Sequence, residues 1–326
     1  VPLAYFSGMG AVSRAGMIAK GGIALENLAK VDTFVFDKTG TLTTGDFRVV
    51  KVESDREDLL HLVAGAECAS HHPIARAIVR AAGAAPEASE VREIPGQGIF
   101  ARVEGHEVHA GNRRMVQALG LTAPEVDGTT MVYAVVDGVY AGAITLEDTV
   151  KDGAREALAS LHRLGVRDTC MLTGDRESAA KLAAGSLGMT DYRAGLLPQD
   201  KLSTVQAMLD TGKTVAFVGD GVNDAPVLAV AQVGVAMGGV GSDAAVEASD
   251  LVLLKDDLAD LPRALKIARR TIAIARQNIA FALIIKFGVM LLSIPGIANM
   301  WMAVFADVGV AMICILNSFR ALKSDV

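Results

Sequence analysis

The sequence predicts a doubly wound parallel α/β sheet with an inserted α+β domain, followed by a transmembrane helical hairpin. Three observations carry that reading. Short apolar runs alternate with helical patterns and end in Gly- and Asp-containing loops, at Asp37, at Thr173-Gly174-Asp175 and at Gly219-Asp220-Gly221. A block from 47 to 143 interrupts this alternation with hairpin-like texture. Ile272 to Phe319 is almost continuously apolar. Alternating strand and helix implies a parallel sheet, whose strand C-termini are where ligands bind.

Taken in order, Val1 to Val12 is apolar but shorter than the ~20 residues of a membrane span, and reads as the end of a truncated membrane helix. Ser13 to Lys30 spaces its apolar residues helically between Arg14, Lys20, Glu26 and Lys30, predicting a connecting helix. Thr33 to Phe36 is a β-rich run that delivers Asp37. Asp58 to Ala82 reads as one or two helices interrupted by His71-His72-Pro73. Val91 to Val108 alternates around the turn Pro95-Gly96-Gln97-Gly98, and Asp137-Gly138 joins Met131–Val136 to Val139–Ile144 as a hairpin. Helices over Asp152–Leu164, Ser178–Leu187 and Lys201–Thr211 then alternate with strands over Asp168–Leu172 and Thr214–Val218. Two apolar runs, Ile279–Ile297 and Met300–Phe319, flank Pro295-Gly296-Ile297-Ala298-Asn299. The expected domains are a membrane-helix end and connector at 1–30, an α/β-sheet domain at 31–46 and 144–262, an inserted domain at 47–143, and two membrane helices at 263–326.

Composition narrows the function. With 51% hydrophobic residues and a mean hydropathy of +0.37, the chain is too apolar for an ordinary soluble enzyme. A net charge of −6 argues against nucleic acid as a partner. Cys68, Cys170 and Cys314 are far apart and form no CxxC pair, which fits a reducing compartment. The chain has no initiator Met and no signal-peptide pattern, so it reads as the C-terminal part of a longer protein. Arg263, Lys266, Arg269, Arg270 and Arg276 precede the apolar pair, Arg320 and Lys323 follow it, and the connecting turn has no Lys or Arg. The positive-inside tendency then puts both hairpin ends in the cytoplasm, with membrane lipid around the helices.

Phosphoryl transfer needs a positioned nucleophile, a cation for the oxygens and dipoles around the equatorial oxygens. Asp37 is the candidate nucleophile in Asp37-Lys38-Thr39-Gly40-Thr41-Leu42-Thr43, and Gly40 allows a tight turn whose N–H groups face a phosphate. Thr173 and Gly174 offer a hydroxyl and an N–H at the next strand end. Lys201, after Leu197-Pro198-Gln199-Asp200, supplies positive charge. Asp220 is a hard oxygen ligand suited to Mg²⁺, with Asn223 and Asp224 close behind. Individually these are weak signals: a lone Thr-Gly-Asp is usually a turn, and Asp200 reads equally well as an N-cap.

Together, in this order, they resemble the haloacid-dehalogenase superfamily and, within it, the P-type ATPases. Asp37 to Thr43 matches the phosphorylation signature of those pumps, and Gly219-Asp220-Gly221-Val222-Asn223-Asp224-Ala225-Pro226 matches their hinge motif residue for residue. The resemblance implies a phosphorylated Asp37 with Lys38 beside it, and Mg²⁺ held by Asp37, the Thr39 carbonyl and Asp220. It also implies phosphoryl-site roles for Thr39, Thr173, Gly174, Asp175, Lys201, Asn223 and Asp224. Phosphatases of the superfamily place a second Asp two residues after the nucleophile; Thr39 stands there, so hydrolysis of an acylphosphate is expected to be slow.

Glu67, His72-Pro73 and the turn Gly96-Gln97-Gly98 resemble the ATP-binding domain of the heavy-metal subclass. The resemblance implies a nucleotide site made by Glu67, His72, Gly96, Gly98 and Asn112. A His-Pro pair is also a common helix start, and His71 reads as exposed and passive. In the apolar hairpin, Lys286 and Asp307 both fall near the middle of a ~30 Å hydrocarbon core. Mutual pairing is one reading. The other follows the family: a Lys in the penultimate helix with Asp307-Val308-Gly309 in the last resembles the Zn²⁺/Cd²⁺/Pb²⁺ pumps, whereas copper pumps carry a Tyr-Asn pair and a Met/Ser set. A carboxylate suits a divalent borderline ion better than Cu⁺. The family also implies an amino-terminal part, with Cys-Pro-Cys ligands and an actuator domain, outside this sequence. The rival readings are a copper pump and a stand-alone phosphatase.

Overall fold

The computed structural model describes residues 1–124, 130–220, 224–238 and 243–322. The chain divides into two compact units, one formed by Val1–Thr41, Asp152–Gly174 and Ala184–Val326, the other by Leu42–Lys151 with Asp175–Ala183.

The first unit holds a seven-stranded sheet. Its order is Met17–Ala19, Leu251–Leu253, Val233–Met237, Val215–Gly219, Thr33–Asp37, Asp168–Leu172 and Asp191–Arg193. All pairings are parallel except the first, which is antiparallel. Thr33–Asp37 and its neighbour Val215–Gly219 are buried at every position. A central parallel strand is covered on both faces, so it reads as a continuous apolar run rather than an alternation. Val35, Leu172, Phe217, Val227 and Val252 form one core against this sheet.

Register decides where the loops emerge. Asp37 lies opposite Leu172 and Phe36 opposite Val218. The residues that follow, Thr173 on one side and Gly219-Asp220 on the other, therefore leave the sheet beside Asp37, as the strand-end argument requires.

One expected element differs. The connecting helix over Ser13–Lys30 is broken: a helix over Pro2–Arg14 ends, Met17–Ala19 joins the sheet edge, and a second helix starts at Gly22. Pairing with Leu251–Leu253, more than two hundred residues away in sequence, outweighs the local helical spacing.

The second unit is a six-stranded antiparallel sheet in the order Thr43–Glu53, Val139–Val150, Thr130–Val136, His106–Gly111, Gly98–Val103 and Ala88–Ile94. Helices Leu59–Glu67 and Pro73–Ala82 contribute Leu62, Val63 and Ile78 to a core shared with Ile99, Val103, Val108, Val132 and Ile144. The hairpin at Asp137-Gly138 has both residues at positive φ, 53° and 79°, which matches the strand twist. The unit extends beyond 47–143 because Thr43–Glu53 and Val139–Val150 pair as one ribbon, from Thr43 opposite Val150 to Glu53 opposite Ala143.

The apolar C-terminal block is a hairpin in the first unit. Asp260–Ser293 is a single 34-residue helix, so the basic residues that precede the apolar run lie on the same helix. It and the segment Met300–Leu322 are both long and apolar enough to cross a membrane, and most of each apolar window is uncovered by protein. Asn278 ties the two together: its Nδ2 donates to Ser318 Oγ (2.9 Å) and Cys314 O (3.2 Å), and its Oδ1 accepts from Asn317 (2.8 Å). Cys314 thus packs at this junction, its Sγ also facing Asn278 O at 3.7 Å.

Candidate functional site

Asp37 ends its strand with only 8% of its surface exposed. Lys201 Nζ lies 2.6 Å from Asp37 Oδ1 and 3.1 Å from Asp224 Oδ1. Ligand oxygens of Asp37, Asp220 and Asp224 all fall within 4.8 Å of one another. Burial, then the Asp224 carboxylate, push the Asp37 carboxyl up to about 6, against the pull of Lys201 and the Lys38 N–H. Burial pulls the Lys201 ammonium down, but the two carboxylates outweigh it and leave its pKa raised. Three carboxylates around one ammonium leave a surplus of negative charge in a desolvated place. That is the condition under which a hard divalent cation binds. The donor set therefore fits Mg²⁺.

The loop after Asp37 is shaped for this cluster. Thr39 is extended (φ −77°, ψ 130°) and exposed, and Gly40 turns the chain at φ 76°. A Cβ on Gly40 would sit 2.5 Å from Asp220 Oδ2, so this position needs glycine for its conformation and for the closeness of Asp220. Thr173 is buried; its N–H donates to Arg193 O and its carbonyl accepts from Leu196 N–H, both at 3.0 Å, which fixes the Thr173-Gly174 loop. Lys201 enters from the first turn of helix Pro198–Asp210. Leu197, not Asp200, is the N-cap; Asp200 lies at the third helical position, and its carboxylate reaches back to accept from Leu197 N–H at 2.9 Å. Asp175 begins the stretch grouped with the second unit, and Asn223 lies outside the described residues, so both stand on sequence alone.

In the second unit, His72 caps helix Pro73–Ala82: its Nδ1 accepts from Ile74 N–H at 3.2 Å. With Nδ1 accepting in the cap, Nε2 is the ring nitrogen left for another partner, and the residue is exposed. Glu67 closes helix Leu59–Glu67 and is 9% exposed; burial, then the charge of Glu93, push its carboxyl up to about 7. Asn112 Nδ2 donates to Gly96 O (2.8 Å), its N–H donates to Gln97 O (2.8 Å), and its Oδ1 accepts from Met115 N–H. Asn112 is thus the staple that holds the Gly96–Gly98 turn. A Cβ on Gly98 would meet Ala110 O at 2.1 Å. Gly111 makes the matching close approach from the other strand, a role that sequence reasoning missed because nothing local marks it.

In the hairpin, Lys286 Nζ and Asp307 Oδ1 are 3.1 Å apart. The mutual pairing considered from sequence is present. Asp307 also sits in a π-helical turn, Phe305–Gly309, between two α-helical segments, which the sequence did not reveal. Such turns occur frequently at functional sites.

Comparison with known proteins agrees with this arrangement. Residues 31–232 match the family of haloacid dehalogenase-like hydrolases. A cadmium, zinc and cobalt-transporting ATPase of Bacillus subtilis is 44% identical over 99% of this chain, which covers 48% of that protein. A zinc-transporting ATPase of Synechocystis is also 44% identical, with 99% and 46% covered. A crystal structure of a zinc-transporting PIB-type ATPase in its E2.Pi state superposes with a TM-score of 0.87 at 38% identity, covering 99% of this chain and 55% of that one. The chain thus spans about half the length of the relatives it matches. Its sheet, its Asp37–Lys201–Asp224 cluster and these likenesses together establish that the chain belongs to the haloacid dehalogenase-like hydrolases, in their P-type ATPase branch.

Proposed function

We propose that this chain forms the phosphorylation, nucleotide-binding and C-terminal membrane parts of an ATP-driven pump that exports divalent heavy-metal ions, Zn²⁺, Cd²⁺ or Pb²⁺. The observation that carries the proposal is the buried Asp37 carboxylate beside Lys201, with Asp220 and Asp224 adjacent and no acid at Thr39.

An Asp37 carboxylate oxygen attacks the γ-phosphorus of ATP. The bond from that phosphorus to the β–γ bridging oxygen breaks, and ADP leaves with the electron pair. Lys201 offsets the charge gathered between the transferred phosphoryl group and Asp224, and the Thr173 hydroxyl and Gly174 N–H face its equatorial oxygens. Asp37, Asp220 and the Thr39 carbonyl would hold Mg²⁺, which when bound screens the phosphate oxygens and favours the ionised form of Asp37. With Thr39 in place of a second acid, no side chain on this loop activates water, so the aspartyl phosphate persists. Glu67, His72, Gly96, Gly98 and Asn112 form the ATP site, with the exposed His72 ring available to the purine.

Lys286 and Asp307 form part of the ion site, and Lys286 acts as a built-in counter-ion when the metal leaves. Membrane lipid surrounds the hairpin, the basic ends hold the α/β units in the cytoplasm, and the amino-terminal part of the same pump supplies the remaining ion ligands.

The test is acid-stable phosphorylation of the full-length protein by labelled ATP with Mg²⁺, comparing Zn²⁺, Cd²⁺, Pb²⁺ and Cu⁺, with Asp37→Asn as blank. Label that requires a divalent metal and vanishes in Asp37→Asn is expected. Label driven by Cu⁺ alone would overturn the ion assignment. Phosphate-ester hydrolysis without label would move the protein to the phosphatases.

A further inference from the structure

One side chain of the long helix Asp260–Ser293 makes three contacts with the backbone of the α/β sheet layer. Arg269 Nε donates to Ala29 O at 3.3 Å, Nη2 to Val31 O at 3.5 Å, and Nη1 to Leu164 O. Ala29 and Val31 lie at the end of helix Gly22–Lys30, and Leu164 closes helix Ala154–Arg163. Helix C-termini present carbonyls without intrahelical partners and the negative end of the helix dipole. A guanidinium, with five donors in a fixed fork, satisfies several such carbonyls at once.

These two helices lead straight into Thr33–Asp37 and Asp168–Leu172, which pair in parallel along their whole length. The strands are tied at their roots as well: Asp32 O accepts from the N–H groups of Arg167 (2.8 Å) and Asp168 (3.3 Å). Arg269 therefore grips the roots of the two strands whose far ends carry Asp37 and Thr173. In the other direction, Lys286 lies about 26 Å further along the same helix.

We propose that Arg269 is the positioning residue that couples the phosphorylation site to the ion site; this rests on the pump reading above. A five-residue strand bonded on both sides moves as a unit, so a displacement at Asp37 reaches its root. Only a grip that resists both sliding and rotation passes that displacement to the helix. The three-point fork provides such a grip, whereas a lysine ammonium donates from a single nitrogen and lacks the rigid planar fork that fixes the helix against rotation.

The experiment compares wild type, Arg269→Lys and Arg269→Gln in the full-length protein. The first readout is the ratio of ATP hydrolysis with and without Zn²⁺. The second is acid-stable phosphorylation of Asp37 by inorganic phosphate and Mg²⁺ without Zn²⁺, in which the carboxylate and phosphate condense with loss of water and the ion site takes no part. The Zn²⁺ ratio is expected to fall roughly 2- to 30-fold in both variants, with Lys no better than Gln, while labelling by phosphate stays at the wild-type level. An unchanged ratio, or labelling by phosphate that falls in parallel, would overturn the proposal. A wild-type protein that shows no Zn²⁺ stimulation would bring down the pump reading itself, and this inference with it.

Discussion

Glu67 offers a quantitative test of the nucleotide unit. It is 9% exposed, and among the described residues no group hydrogen-bonds to its carboxylate. Burial, with Glu93 nearby, raises its pKa from 4.5 to about 7. A group whose folded pKa lies above its unfolded value contributes fully below the unfolded value, and that contribution is lost as pH rises to the folded one. The native state should therefore lose stability from about pH 4.5 up through 7 on account of this residue, by at most ~3.5 kcal/mol at ~1.4 kcal/mol per pKa unit. Glu67→Gln replaces the neutral carboxyl by an amide of the same shape that does not titrate. The difference between variant and wild type isolates Glu67 from every other titrating group.

At pH 5 the two proteins should differ by less than ~1 kcal/mol. At pH 8 the Gln variant should be the more stable by up to about 3 kcal/mol, a rise of several degrees in the melting transition of this unit. Thermal unfolding of the detergent-solubilised protein at pH 5, 6, 7 and 8 measures this. Hydrogen exchange of the helix Leu59–Glu67 assigns the change to the unit. A difference between the two proteins that is the same at every pH would refute the argument, because it would show that Glu67 does not change protonation in this range.

Other consequences follow from the same geometry. Lys201→Met should lower phosphoenzyme formation by at least ~100-fold, the scale of losing one charge-stabilising donor, while ATP affinity measured by equilibrium binding stays near wild type. Gly98→Ala should destabilise the second unit by about 1–3 kcal/mol in unfolding experiments, because its Cβ meets backbone, which cannot move aside as a side chain can. His72→Asn should keep the helix cap and the melting temperature but weaken ATP binding roughly 10-fold. His72→Ala should lose both, with about 1 kcal/mol of stability gone with the cap. Equal ATP affinity in wild type and His72→Asn would confine His72 to capping.

What was legible in the sequence was local. Asp37 to Thr43 announces itself because nucleophile, turn glycine and hydroxyls are consecutive, and the strand Val215–Gly219 shows as an unbroken apolar run because both faces are covered. What was hidden depends on partners far along the chain. The strand Met17–Ala19 exists because Leu251–Leu253 offers it an edge. The grip of Arg269 on Ala29 and Leu164, and the match of Gly98 with Gly111, appear only when distant segments meet. Asp224 shows the intermediate case. Its place just after Asp220 was plain, but its bond to the same ammonium as Asp37 needed the helix Pro198–Asp210 to arrive between them.

The same pairing of lysine with carboxylate occurs twice, with different charge balances. Around Lys201 three carboxylates leave a formal charge of −2, which one divalent cation neutralises. Lys286 and Asp307 are already neutral as a pair, so a divalent ion seated at Asp307 would leave two uncompensated positive charges in a medium that penalises them. On the proposed pump reading, an ion site there therefore needs further anionic ligands, and an ammonium that moves away while the metal is held. On that account Lys286→Met removes the competitor for Asp307: metal should bind more tightly, and ATP turnover should slow because release is no longer assisted. Asp307→Asn should instead lose metal-stimulated phosphorylation. Measuring Zn²⁺ affinity by equilibrium dialysis alongside steady-state ATP hydrolysis separates the two. A Lys286→Met protein with unchanged affinity and unchanged turnover would show that the ammonium only neutralises Asp307 within the bilayer and takes no part in release.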